Sequence, residues 1–323
     1  MRRFLLILIA FLCLVVAVFA LGPREPYSGQ VSFDAAQLGD DLEGYLARIE
    51  APYSDIRKGL QKQIIWADLH QKQKTDFAVV YVHGFSASAN EVRPLPDEVA
   101  NHLGANLYYT RLKGHGRTSE AMADARADDW LHDVLEAVAI GEKLGDKVIV
   151  MSTSLGSSLV SLLAANRPKW AEKIAGHIMV SPNFQISDPG AVRLSWPWAR
   201  YFVPMIMGDE RGAKTLNPRI DHGWTLPHST MSLMPMAKIT KEVGKADFAN
   251  VKAPAFFIYS PNDEVVSPQA IEKAMLAWGG PSDSVKLMTS GHDSNHVIVG
   301  DILSPNTTKE VIMATKRWIN VHF

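Results

Sequence analysis

The chain has 323 residues, of which 47% are hydrophobic and 21% are charged, and its formal net charge is -1 at pH 7. This length allows one large domain with a sizeable core and an insertion. The near-neutral charge, with lysine and arginine not gathered in a stripe, argues against nucleic acid as a partner. The single cysteine, Cys13, lies in the N-terminal segment, which excludes disulfides, a cysteine nucleophile and a cysteine zinc site from the rest of the chain.

Residues 1–22 have the composition of an export signal. Arg2 and Arg3 precede a long apolar run, Phe4 to Leu21, with a small residue suited to cleavage at Ala20. About 20 apolar residues span a bilayer, so the pattern predicts either a signal peptide or a retained N-terminal membrane anchor. We therefore expect an exported protein, periplasmic or anchored facing outside the cytoplasm, with membrane association through this segment.

Residues 23–60 are interpreted as a polar linker and an N-terminal helix, and residues 61–182 as the first part of the main domain. Apolar residues at helical spacing from Phe33 to Ala51 predict a helix that packs on the outside of this domain. Two strands are predicted next, at Gln63–Ala67 and Phe77–Val82, the second of them buried.

The second strand runs directly into H-G-F, residues 83–85. Glycine lets such a loop approach a substrate closely, and the backbone N–H that follows can face a developing oxyanion. Glycine after a strand is also common punctuation, so the motif alone favours an ordinary turn. After another predicted strand at Ala105–Arg111, His115 lies between two glycines and is interpreted as a loop residue that shapes the floor of a site.

An apolar strand at Val148–Met151 is followed by S-T-S-L-G, Ser152 to Gly156, and by a helix through Ala165. Strand, sharp turn and helix are the setting of a nucleophile elbow, in which small neighbours permit a strained serine and close packing of strand against helix. Ser154 is the candidate nucleophile. Ser152 replaces the first glycine of the commoner G-x-S-x-G pattern, and a serine between small residues is often only a strand end.

Beyond a strand predicted at Ala175–Pro182, in which His177 is interpreted as a hydrogen-bonded core histidine, strand and helix cease to alternate. Residues 183–247 are predicted to form a cap insertion. Their methionines and aromatic residues suit an adaptable apolar surface over a pocket, or simply pack the insertion onto the main domain. These residues are Trp196, Trp198, Tyr201, Phe202, Met205, Met207, Trp224, Met231, Met234 and Met236.

The main domain resumes in residues 248–323. Strands predicted at Ala255–Ser260 and Ser284–Thr289 are followed by an aspartate, Asp263, and by two histidines, His292 and His296. Each means little alone, but the chain order Ser, Asp, His, each after a separate strand, is a joint signal for a catalytic triad. The residues themselves leave both histidines open as the base.

Several motifs together resemble α/β-hydrolases of the serine aminopeptidase-like, monoacylglycerol lipase and lysophospholipase type, over about residues 60–323. They are H-G-F (His83 to Phe85), R-L-K-G-H-G (Arg111 to Gly116), S-T-S-L-G (Ser152 to Gly156), N-D-E-V-V-S-P (Asn262 to Pro268) and H-V-I-V-G-D (His296 to Asp301). The resemblance implies the α/β-hydrolase fold, a mostly parallel central sheet flanked by helices with a cap insertion.

The resemblance also implies a site that needs neither metal nor cofactor. Ser154 would be the nucleophile, Asp263 the acid and His296 the base, with the backbone N–H groups of Phe85 and Leu155 as the oxyanion hole. The residues expected to support the elbow and the oxyanion loop are His83, Gly84, Ser152 and Gly156.

His296 is preferred over His292 because it leads into V-I-V-G-D, interpreted as the apolar start of the final helical region, and matches the family's His-Val pattern. His292 remains the alternative base.

The resulting hypothesis is a serine hydrolase that cleaves carboxylic esters with apolar acyl chains, of the monoacylglycerol or lysophospholipid kind, through an acyl-enzyme. One alternative is a peptidase or amidase of the same fold, since acidic residues of the cap could hold a substrate's free amine. The other is a hydrolase-fold protein that binds lipid without turnover. The acidic cap residues are Asp188, Asp209, Glu210 and Asp221.

Overall fold

The computed structural model describes residues 1–323 and contains nine strands. They are β1 (Gln63–Ile65), β2 (Thr75–Val82), β3 (Asn106–Tyr109), β4 (Gly145–Thr153), β5 (Ile174–Val180), β6 (Glu210–Arg211), β7 (His228–Ser229), β8 (Ala255–Tyr259) and β9 (Ser282–Lys286). Seven of them form one sheet in the order β1-β3-β2-β4-β5-β8-β9. All neighbouring strands in it are parallel except β1 and β3, and β6 and β7 form a separate antiparallel pair. The predicted mostly parallel sheet is confirmed.

Helices cover both faces of this sheet, as the connections between parallel strands require. They are α1 (Arg2–Ala20), α2 (Leu42–Glu50), α3 (Leu95–Leu103), α4 (Ser119–Asp124), α5 (Ala127–Leu144), α6 (Leu155–Asn166), α7 (Pro168–Ala171), α8 (Ala199–Met207), α9 (Pro218–Gly223), α10 (Leu233–Val243), α11 (Pro268–Ala277) and α12 (Pro305–His322).

Two apolar cores lie on opposite faces of the sheet, one of 44 buried residues and one of 23. Successive side chains of a strand point to opposite faces, so Val80 of β2 belongs to the larger core and Val79 to the smaller. Strands buried on both faces need apolar residues at every position, which explains the continuous apolar runs that marked β2 and β4 in the sequence.

The segment from Phe33 to Ala51 is not one helix, so that prediction is wrong. A short 3-10 turn, Ala35–Leu38, ends at Gly39, whose φ is 60°, and α2 begins afresh with Asp41 as its N-cap. The Asp41 carboxylate accepts a hydrogen bond of 2.8 Å from the Gly44 N–H. Capping by a side chain and a left-handed glycine separate two elements whose apolar residues happen to keep one spacing.

The V-I-V-G-D segment after His296 is likewise not helical. Val297, Ile298 and Val299 are buried in a loop, and α12 begins only at Pro305. Ile298 and Val299 belong to the smaller core, which also contains residues of α12.

His177 lies in the core of β5 as expected, but it is not hydrogen-bonded. Neither ring nitrogen has a partner, and the ring packs edge-on against Trp278 with centroids 5.3 Å apart. Burial lowers the pKa of His177 to about 3, so the ring is neutral at physiological pH.

Residues 183–247 lie between β5 and β8 of the central sheet and contain α8, α9, α10 and the β6–β7 pair, all outside that sheet. At the start of the chain, α1 has no buried residue and has a mean hydropathy of 2.9 over an 18-residue window, which by length and composition is enough to cross a membrane.

Candidate active site

Ser154 occupies the sharp turn between β4 and α6, with φ 48° and ψ -115°. A non-glycine residue rarely adopts a positive φ, and the strain is held here by its neighbours. The Ser154 N–H donates to the Val180 carbonyl at 2.9 Å, and the Ser154 carbonyl accepts from the Ser158 N–H at 3.2 Å. The turn therefore presents the Ser154 hydroxyl at the carboxyl edge of the sheet.

Gly156 is required by the close approach of α6 to the end of β2. A Cβ at this position would lie 2.2 Å from the Val82 carbonyl oxygen and 2.7 Å from that of His83. No side chain fits in that space, which accounts for the second small position of the motif.

Ser152, the departure from the commoner motif, is buried at the end of β4. Its hydroxyl lies 3.0 Å from the Ser157 hydroxyl on α6. The extra side chain is thus accommodated by a hydrogen bond between strand and helix, and it does not contact the Ser154 hydroxyl.

Asp263 and His296 converge on Ser154 from two separate loops. The Asp263 Oδ1 accepts hydrogen bonds from the Val265 and Val266 N–H groups at 2.8 and 2.9 Å, which fixes the carboxylate. Its Oδ2 lies 2.8 Å from His296 Nδ1, and His296 Nε2 lies 3.0 Å from Ser154 Oγ. When Nδ1–H donates to the carboxylate, Nε2 is left as the acceptor for the serine proton.

His292, the alternative base, is turned to a different partner. Its Nδ1 lies 2.8 Å from the Ser294 hydroxyl, and none of its hydrogen bonds reaches Ser154 or Asp263. The structure thus brings His296, and not His292, to the candidate nucleophile.

The loop after β2 lies directly beside the elbow. A Cβ added to Gly84 would lie 3.3 Å from the Ser154 Cβ. The Gly84 carbonyl accepts from His83 Nδ1 at 2.9 Å, while His83 Nε2 accepts from the Leu112 N–H at 3.1 Å. Burial lowers the pKa of His83 to about 4, so this neutral tautomer holds the Gly84–Phe85 peptide in place.

The two N–H groups expected to face an oxyanion have no hydrogen-bond partner within the protein. The Phe85 N–H makes no hydrogen bond within the protein. Leu155 is the first residue of α6, where a backbone N–H has no partner within the helix. Both groups are therefore available to a ligand atom.

Glu91, which the sequence reasoning missed, lies behind this loop. Its Oε1 accepts hydrogen bonds from the Gly84 N–H at 2.5 Å and from the Tyr81 hydroxyl at 2.7 Å. Burial raises the pKa of Glu91 to about 7, against the opposing effects of these hydrogen bonds and of nearby His296. No local pattern marks it, because a lone glutamate in a polar loop is ordinary in sequence.

His115 packs behind the same loop. Its ring centroid lies 4.9 Å from that of His83 and 5.6 Å from that of Trp130, and the Phe85 ring lies edge-on at 6.1 Å. Burial and the neighbouring His83 hold the pKa of His115 well below its usual value, so an uncharged aromatic layer supports the oxyanion loop.

Ser154 is largely buried. It is only 8% exposed, and it lines none of five surface cavities of about 300 to 610 Å³. The cavity of about 610 Å³ is lined mainly by polar residues, among them Arg93, Asp97 and Arg219. These cavities therefore lie apart from the Ser154 hydroxyl.

The acidic cap residues are occupied elsewhere or exposed. The Asp188 carboxylate accepts from the Gly190 N–H at 2.7 Å, and the Asp221 carboxylate accepts from the Thr215 N–H at 2.7 Å. Asp209 and Glu210 are exposed beside β6. None of the four hydrogen-bonds to the residues around Ser154, and no group of three or more His, Cys, Asp or Glu side chains is arranged to hold a metal ion.

Comparison with known proteins places these features in context. The family model described as serine aminopeptidase, S33 (Hydrolase_4) matches residues 73–293, more than half of the chain. No curated protein matches the chain.

Solved structures share the fold at low sequence identity. One, described with the metagenome-derived lipolytic enzymes LipS and LipT, is 21% identical, covers 83% of this chain and 100% of its own, and has a TM-score of 0.66. The monoacylglycerol lipase of Paleococcus ferrophilus is 17% identical over 82% of this chain and 99% of its own, with a TM-score of 0.58. A soluble variant of the monoglyceride lipase of Saccharomyces cerevisiae, in complex with a substrate analogue, is 13% identical over 93% and 99%, with a TM-score of 0.59.

Proposed function

Because the chain belongs to the serine aminopeptidase, S33 family of α/β-hydrolases, we propose that it is a serine hydrolase that cleaves carboxylic esters with apolar acyl chains. The observation that carries the proposal is the connected series of side chains from Asp263 through His296 to Ser154, with contacts of 2.8 and 3.0 Å. A protein that only bound lipid would have no use for this arrangement.

In this mechanism the Ser154 hydroxyl attacks the ester carbonyl while His296 Nε2 takes its proton. Asp263 holds the tautomer and stabilises the imidazolium that forms. The oxyanion is held by the N–H groups of Phe85 and Leu155, each of which contributes about 3 to 4 kcal/mol to the transition state in comparable hydrolases. His296 then gives the proton to the leaving alcohol. In the second step His296 takes a proton from a water molecule as the water attacks the acyl-enzyme, and it returns that proton to Ser154 Oγ when the acid is released.

The ester is favoured over an amide or peptide by the surroundings of the site. A peptidase that binds a free amino terminus needs a carboxylate facing the substrate, and none of the four cap acids hydrogen-bonds to the residues around Ser154. The buried carboxylate beside the oxyanion loop, Glu91, is engaged by the Gly84 N–H and the Tyr81 hydroxyl. Two solved structures that share this fold are named as monoacylglycerol or monoglyceride lipases, which are ester hydrolases, and this supports an ester rather than an amide as the substrate.

The test is the full chain in detergent, assayed with acyl esters of graded chain length beside amino-acyl amides. We expect kcat/KM to rise by up to about fourfold per methylene until the acyl site is full, since each buried methylene contributes about 0.8 kcal/mol. Faster cleavage of an amide than of every ester, without dependence on chain length, would contradict the proposal.

A fluorophosphonate probe tests the residues separately from the substrate. Labelling should be lost in Ser154→Ala and strongly reduced in His296→Ala, and it should persist in His292→Ala, the matched control on the same loop. Labelling that survives in His296→Ala and disappears in His292→Ala would reverse the choice of base.

A further inference from the structure

Residues 22–31, here called the strap, are fastened to the domain along their length, although their polar composition predicts a linker. The Pro23 carbonyl accepts from the Trp198 N–H at 2.7 Å, and the Glu25 carboxylate forms a two-pronged ion pair with Arg200 at 2.6 and 2.8 Å. The Glu25 side chain is only 3% exposed. The strap thus binds the start of α8 in residues 183–247.

The second half of the strap binds the main domain. The N–H groups of Ser28 and Gly29 donate to the Asp128 carboxylate at 2.8 and 3.0 Å. Arg167 donates to the Val31 and Gly29 carbonyls at 2.6 and 2.9 Å. The strap therefore attaches the end of α1 both to the start of α8 and to the main domain.

The end of α1 itself contacts the residues that directly precede α8. The Trp198 indole N–H donates to the Val18 carbonyl at 3.0 Å, and the Phe19 ring lies edge-on to Trp196 at 5.8 Å. Gly22 packs so closely on the Trp198 indole that an added Cβ would lie 1.9 Å from its Nε1. Aromatic residues of this amphipathic kind are enriched where a helix leaves the hydrocarbon layer.

Three large apolar side chains of α8, together called the cap face, are uncovered. They are Tyr201 and Met205, which lie one turn apart, and Ile206 in the last turn, and they are 62%, 86% and 76% exposed. Ala199 and Val203 of the same helix pack onto Met234. Large apolar side chains grouped on an exposed helix indicate a surface with a partner.

We propose that the cap face lies in the interfacial layer of the same bilayer that α1 enters, so that lipid covers Tyr201, Met205 and Ile206. The 19 residues of α1 span about 28 Å, close to the thickness of a hydrocarbon core. Because the end of α1 lies against Trp198, the residue before α8, α8 begins at the level of the membrane surface. The arrangement fixes one orientation of the enzyme, with the cap against lipid, and is independent of the reaction at Ser154.

The proposal is tested with the full chain in vesicles of phosphatidylcholine and phosphatidylglycerol, some with brominated acyl chains. In a Cys13→Ser background, Met205→Cys carries an environment-sensitive NBD label. The matched control is Leu276→Cys on α11, where the native side chain is 85% exposed. We expect blue-shifted emission with quenching by brominated lipid at position 205 and water-like emission without quenching at position 276. Tyr201→Cys gives the same reading if the first variant does not fold.

Water-like, unquenched emission at positions 205 and 201 would overturn the proposal. A blue shift without quenching, together with cross-linking between labelled copies, would assign the cap face to a second copy of the chain and would also overturn it.

A second pair of variants tests the strap. Gly22→Leu and Glu25→Gln should reduce quenching at position 205 while α1 still retains the protein on the vesicles, because the anchor remains and only its attachment to α8 is loosened. Unchanged quenching in both would refute the role of the strap.

Discussion

Replacing Glu91 by glutamine isolates the electrostatics behind the oxyanion loop. The amide oxygen of Glu91→Gln can still accept from the Gly84 N–H and the Tyr81 hydroxyl, so the variant removes the ionisation and keeps the hydrogen bonds. The charged and titratable groups around this carboxyl are Tyr81 and His296.

The magnitude follows from the shift that burial causes. The pKa of Glu91 rises from 4.5 to about 7, so between these values the folded protein binds the proton more tightly than the unfolded chain. The contribution of this group to stability is therefore full below pH 4.5 and is lost as the pH rises to 7. At 1.36 kcal/mol per unit, the loss is about 3 kcal/mol.

The assay is urea unfolding of the full chain in detergent from pH 4.5 to 8, followed by tryptophan fluorescence. We expect the wild type to lose up to about 3 kcal/mol more of its free energy of unfolding across this range than Glu91→Gln. Glu310→Gln, on the exposed side of α12, should follow the wild type. The reasoning is refuted if Glu91→Gln and the wild type lose stability in parallel, since the folded carboxyl would then titrate as in the unfolded chain.

Ser152→Ala should keep most of the turnover that Ser154→Ala abolishes, and it should lower the free energy of unfolding by about 1 kcal/mol because the buried Ser157 hydroxyl loses its partner. Measurements of kcat/KM and of the urea midpoint report the two effects. Equal loss of activity in both variants would contradict the assignment of Ser154 as the nucleophile. Ser152→Gly should also retain activity, since it restores the commoner motif. Cell fractionation should find the protein outside the cytosol. An intact N-terminal peptide in the membrane fraction would show that α1 is retained, and a mature start near Leu21 would show that it is cleaved. A protein found in the cytosol would refute export.

The sequence by itself determined the local features of this protein. The apolar run at Val148–Met151 requires a buried strand, and Ser154 and Gly156 after it require a tight turn into a helix, because each depends on neighbours only a few residues away. The order of Ser154, Asp263 and two later histidines along the chain, each beyond a strand, predicted a triad, and the family resemblance favoured His296, whose side chain lies within hydrogen-bonding distance of both partners.

Only the tertiary structure decided which surfaces and which loop residues meet. In sequence Glu91 is an ordinary loop carboxylate, and only the fold buries it against the Gly84 N–H. His292 and His296 belong to the same loop, but the fold directs His292 to the Ser294 hydroxyl and His296 to the Ser154 hydroxyl. Helical spacing shows that α8 has an apolar side, but not whether that side faces a pocket or the outside. The fold leaves Met205 exposed on α8 and ties the start of that helix to the residues after α1. Contacts between residues far apart in the chain, such as Glu25 with Arg200, leave no trace in local periodicity.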